Sequence, residues 1–146
     1  MPEDIICLER QLSKLMSVEE GEVFVKENQG KKEFKYFFEY LNDFAAHHNI
    51  CMSDIIKSSR INKNYVYNIT NGITKRPSRD KILALCIGAK MTFDEVNRAL
   101  YIGGKNRLDP RDPRDVWIAI EVNNRVGDVL KVNLLLEEKM LTPIEL

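Results

Sequence analysis

MSDIIKSSRINKNYVYNITNG, residues 52–72, decides the fold. Ser53 is suited to cap a short helix ending near Ser58 to Arg60, and Asn62 to cap a second that runs to Asn71-Gly72, where the amide-glycine pair stops it. Ile55, Ile56 and Ile61 point inward in this reading. Val66 and Ile69 of the second helix pack against them, with Tyr65 at the margin. Lys63, Asn64, Tyr67, Asn68 and Asn71 are left on the outer face.

On either side the chain carries helical rather than strand periodicity. Phe34, Phe37, Phe38, Leu41, Phe44 and Ala45 mark one face of an amphipathic helix over 33–48, closed by Asn49. A fourth helix of the core starts after Pro77-Ser78 and carries Ile82, Leu83, Leu85, Cys86 and Ile87. A fifth starts after Thr92, carries Phe93, Val96, Leu100 and Tyr101, and stops at Gly103-Gly104. No stretch alternates apolar and polar residues over a strand length. The punctuated regions are Gln29 to Lys32, Asn71 to Pro77 and Gly103 to Pro113. The expected fold is all-α: a five-helix core over 33–104, an N-terminal helical appendage over 1–32 with Ile5, Leu8, Leu12 and Leu15 at helical spacing, and a C-terminal hairpin over 105–146.

That last hairpin echoes the core. SRDKILAL (78–85) returns as PRDVWIAI (113–120), and VNRAL (96–100) as VNLLL (132–136), at an offset of about 35 residues with one insertion. Asp112-Pro113 and Gly127-Asp128 open its two helices. Two copies do not make a solenoid, which needs three or more to bury a continuous core. The hairpin is expected to extend the core, to dimerise or to receive a signal.

Composition narrows the function. The 146 residues hold 22 Lys+Arg and 22 Asp+Glu, a net charge of zero, but the charge is segregated. Residues 52–81 carry 7 basic and 2 acidic side chains, whereas 1–34 and 109–146 each carry 5 and 8. A basic centre between acidic flanks is the asymmetry of a protein that turns one surface to a polyanion. No apolar run approaches the roughly eighteen residues of a membrane span. The start, MPEDIICLERQL, carries acids where a signal peptide has basic residues, so the expected location is the cytoplasm. Cys7, Cys51 and Cys86, odd in number and far apart, are read as buried reduced thiols.

The outer face of the second short helix is rich in amides with one cation. Asn pairs two ways with adenine N6 and N7, and Lys donates to guanine O6 and N7, so this face suits the base edges of a major groove. Together with NITNGITKRPS (68–78) and the order of five helices, the segment 34–102 resembles the Cro/XRE-type, lambda-repressor-like helix-turn-helix domains. The resemblance implies a sequence-specific regulator of transcription, of bacterial or phage type, working as a homodimer on paired half-sites of double-stranded DNA. By the same resemblance Lys63, Asn64, Tyr67 and Asn68 contact bases, while Asn71, Thr74, Lys75, Arg76 and Arg79 contact the DNA backbone. The chain departs from the family pattern at Met52 (usually Gln), Ile56 (small), Arg60 (Gly) and Thr70 (Glu).

Other constellations read as structure. His47 and His48 point about 100° apart on a helix and do not share a metal. Asp109, Asp112 and Asp115, interleaved with Arg111 and Arg114, read as a charged loop and helix cap rather than a calcium site. Tyr36, Phe37, Phe38 and Tyr40 read as core packing rather than base stacking. No nucleophile arrangement, phosphate loop or metal spacing is present, so neither catalysis, cofactor nor metal is expected. The alternative to DNA binding is an antitoxin-like or inhibitory interaction module that meets a protein partner through the acidic flanks.

Overall fold

In the computed structural model, which describes residues 5–28 and 34–146, every regular element is a helix and no strand occurs among the described residues. None of these helices is long and apolar enough to cross a membrane. The chain divides into two compact units, residues 1–34 and 35–146.

The first unit contains α1 (Ile5–Leu12) and α2 (Val18–Asn28). Ser17 starts α2 by accepting the Glu20 N–H at 3.1 Å and donating its hydroxyl to the Glu20 carboxylate at 3.2 Å, satisfying one of the orphan donors of a helix start. The punctuated stretch Gln29 to Lys32 and the side chain of Cys7 lie outside the described residues.

The second unit holds α3 (Phe37–His47), α4 (Met52–Ser59), α5 (Lys63–Thr70), α6 (Arg79–Gly88), α7 (Phe93–Ile102), α8 (Pro113–Asn123) and α9 (Val129–Glu138). The C-terminal pair α8 and α9 belongs to the same unit as α3 to α7. Most starts fall where the sequence places them. Asn62, Ser78, Thr92, Asp112 and Asp128 each accept a backbone N–H from the first turn of the helix they precede, each cap contributing about 1 kcal/mol. Ser53 does not cap: α4 starts two residues earlier, at Met52, after Cys51, which has no side-chain cap bond. The Phe-rich helix likewise begins at Phe37, not at 33.

Five helices end alike. Asn49, Lys90, Gly104, Arg125 and Met140 adopt positive φ, and the next residue's N–H reaches back to a carbonyl five positions earlier, as in Ile50 to Ala45 and Met91 to Cys86. This is the Schellman closure usually served by glycine; here Gly104 alone of the five is one.

α6 is the centre of the unit, with every residue from Ile82 to Ala89 buried. α4 lies hard against it: a Cβ at Gly88 would stand 2.8 Å from the Ile55 carbonyl oxygen and 3.0 Å from the Ser59 nitrogen. Ser59, fully buried, answers its own polarity by donating to the Ile56 carbonyl at 2.8 Å and accepting the Ile61 N–H at 3.2 Å. Cys86 is buried and Cys51 exposed, so the expectation of buried thiols fails at Cys51, because Cys51 precedes α4 on the surface. Burial, with a smaller push from Glu95, raises the Cys86 thiol pKa and keeps it protonated.

The sequence echo is a structural one. Arg79 forms a two-pronged bond with Asp115 (3.0 and 2.8 Å), and Arg114 forms one with Asp80 (3.2 and 3.0 Å). Arg79 also donates to the carbonyls of Asn106 and Arg107, as Arg114 does to those of Thr142 and Pro143. The Asp109 N–H meets Asp115 and the Glu145 N–H meets Asp80, both at 2.9 Å. Asn97 accepts the Leu108 N–H at 2.8 Å, and Asn133 the Ile144 N–H at 2.7 Å. Hairpins α6–α7 and α8–α9 therefore anchor each other by the same bonds made in both directions. The one insertion is Gly127, which lengthens the turn before Asp128.

Candidate nucleic-acid interface

α5 is fixed from beneath and at both ends, leaving one face open. Val66 and Ile69 are fully buried. At its start the Asn62 side chain accepts the N–H groups of Asn64 (2.9 Å) and Tyr65 (3.4 Å). At its end Asn42 of α3 donates to the Thr70 carbonyl at 2.9 Å. Thr70, where the resembled family has Glu, turns its hydroxyl to the Tyr67 carbonyl. Of the three isoleucines expected inside, Ile55 and Ile61 are buried and Ile56 is half-buried.

Lys63, Asn64, Tyr67 and Asn68 all lie on the exposed side, with Tyr67 40% accessible and the Lys63 ammonium 5.7 Å from its ring centre. The loop that follows folds back onto the same helix: the Thr74 N–H donates to the Asn68 carbonyl at 2.7 Å, and the Asn71 side chain accepts the Ile73 N–H at 3.2 Å. Asn71, Lys75 and Arg76 are exposed and Thr74 half-buried. The loop thus brings these four beside the C-terminal end of α5. Lys63, Lys75 and Arg76 form no ion pair among the described residues.

Arg79 is not with them. Its guanidinium is spent on Asp115 and on two carbonyls, and only 24% of its side chain is accessible. The bidentate pair holds the guanidinium against a carboxylate that is only 3% exposed. The DNA-backbone role of Arg79 rests on the family resemblance alone; the second Arg-Asp dipeptide, at 114–115, is the sequence signal for its partner.

The turn between α4 and α5 explains the departure at Arg60. Arg60 sits at φ 64, ψ 12, the left-handed conformation that favours glycine. Its side chain makes two bonds to Asp128 at 3.1 and 3.0 Å, tying the turn to the start of α9. That hydrogen bond is the largest cause holding the Asp128 carboxyl below its ordinary pKa.

Set against protein-family models, curated proteins and solved structures, the chain matches none.

The histidines are taken up locally, His47 by the Asp43 carbonyl at 2.9 Å and His48 by the Phe44 carbonyl at 3.0 Å. Of the aromatic run, Phe37 and Tyr40 are buried, but Tyr36 and Phe38 are only half-buried and stack on each other, 5.8 Å between centres. Their spacing hid this, since a helical period identifies the inward face and not what lies just before the first turn.

Proposed function

We propose that this protein is a sequence-specific double-stranded DNA-binding regulator of transcription in the cytoplasm, with a lambda-repressor-like helix-turn-helix core in which α4 and α5 form the motif and α5 enters the major groove. The observation that carries the reading is the open face of α5. Lys63, Asn64, Tyr67 and Asn68 project from a helix held at both ends, and the cations beside it pair with no acid among the described residues, whereas Arg79 and Arg114 are engaged with Asp115 and Asp80. Asn64 and Asn68 supply paired donors and acceptors for adenine, and Lys63 a donor for guanine. Asn71, Thr74, Lys75 and Arg76 would fix the register on phosphates. One eight-residue helix reads few bases, so two copies on half-sites about 34 Å apart, or a multiple of that, are the natural assembly.

Selection of duplexes from a random library, with wild type beside a Lys63→Ala/Asn64→Ala/Asn68→Ala variant, tests this. The expected result is a symmetric motif that the variant fails to enrich. Unselective, salt-sensitive binding that is equal in both proteins would overturn base reading and turn attention to a protein partner.

A further inference from the structure

We propose that Lys35 and Tyr36, with Lys75, form a second phosphate grip on the α3 side of the interface; this rests on the reading of α5 as the helix that enters DNA. Lys35 comes from the residue pair preceding α3 and Lys75 from the loop after α5. Their ammonium nitrogens lie 5.3 and 5.5 Å from the centre of the same Tyr36 ring.

The convergence is built by packing. Tyr36 stacks on Phe38 with 11° between ring planes. Phe38 in turn lies under Gly72, where a Cβ would come within 3.2 Å of the ring and where φ is +84. Glycine at that position lets the loop settle on Phe38, and the settled loop carries Lys75 to Tyr36. An aromatic face attracts a cation, but two cations drawn to one ring repel each other. Neither lysine has a carboxylate partner among the described residues. Glu39, nearest along α3, uses its Oε1 to accept the Tyr36 N–H at 3.0 Å. What this pair lacks is an anion that accepts from both ammonium groups. The position beside Arg76, Asn71 and Thr74 makes a phosphodiester of the duplex backbone that anion.

The test is binding of the full-length protein to a labelled duplex across a salt series. Lys35→Gln weakens binding several-fold at low salt without changing the motif selected from a random library. The Lys35→Gln/Lys75→Gln double variant lowers the slope of log K against log salt by about 0.9, the value for one shared phosphate rather than two. Tyr36→Leu follows the double variant, because the ring that positions both lysines is gone, and Tyr36→Phe binds as wild type. Thermal melts establish that each variant is folded. Should Lys35→Gln and Tyr36→Leu match wild type at every salt concentration while Lys75→Gln and Arg76→Gln fall away, this grip is refuted and the α5 reading stands. If wild type shows no salt-dependent duplex binding, or the α5 triple-alanine variant selects the same motif, the α5 reading fails and the grip with it.

Discussion

Hairpins α6–α7 and α8–α9 share one frame and differ in burial. In both, an Arg-Asp dipeptide lies in the first turn of the first helix and an Asn in the second holds the closing loop, yet α6 is buried from Ile82 to its end while α8 leaves Val116, Ile120 and Asn123 accessible. The difference is α4. It presses on α6 at Gly88, and the matching residue of α8 is Asn123, exposed to solvent. The polar anchors specify how a hairpin is built, and the apolar residues around them specify what it is packed against.

The largest expected effect breaks the frame itself. Asp115 is 3% exposed and holds both Arg79 and the Asp109 N–H, so Asp115→Ala strands a partly buried guanidinium and costs about 3–5 kcal/mol in urea unfolding. Its counterpart Asp80, 22% exposed, loses less on the same change, about 1.5–3 kcal/mol. Equal losses would mean that the two bridges are equally buried in solution.

Next is the contact with α4. Gly88→Ala pushes a methyl against the Ile55 carbonyl, a backbone group that cannot swing aside, and costs about 1–3 kcal/mol. Asn123→Ala stays within about 0.5 kcal/mol. Melting temperatures of the two variants check this, and a neutral Gly88→Ala would show that α4 can lift away from α6.

A smaller contrast lies at the hairpin ends, where Gly104 and Met140 hold φ of 71 and 61. Gly104→Ala costs about 1 kcal/mol from the left-handed conformation. Met140→Gly changes stability by less than about 0.5 kcal/mol, since relief of that strain is offset by the freedom glycine gains when unfolded.

Smallest is a pH effect at the start of α9. Thr92 caps α7 without charge, whereas its counterpart Asp128 is a carboxylate with its pKa lowered, chiefly by the Arg60 hydrogen bond. A depressed carboxyl stabilises the fold above its unfolded value near 4, and that contribution vanishes as pH falls through the folded value. Arg60→Ala is thus less stable than wild type at neutral pH, and the gap closes in strong acid. A gap that stays constant down to pH 2 would remove Asp128 from the account.

Much of this comparison was legible in the sequence. Helix starts at Asn62, Ser78, Thr92, Asp112 and Asp128 rest on local bonds within three residues, and the echo of SRDKILAL in PRDVWIAI gave the second hairpin and its one insertion. Partnership across the hairpins was not legible. An Arg-Asp dipeptide reads the same whether its charges face solvent, phosphate or another dipeptide, so it does not reveal that Arg79 meets Asp115 and Arg114 meets Asp80. The open face of α5 was legible because its amides stand opposite Val66 and Ile69. The place of Tyr36 was not, because Lys75 reaches it only once the loop has closed over Phe38.

The two-way bridging of Arg79 with Asp115 and Arg114 with Asp80 also limits growth. Repeats that stack by translation leave an unmatched edge at each end, to which a further unit can add. Here the two hairpins meet through matching surfaces, each using its arginine and its aspartate on the other, so neither is left to recruit a third. The self-complementary surface is consumed inside a single molecule, so it is not open to a second copy of the chain.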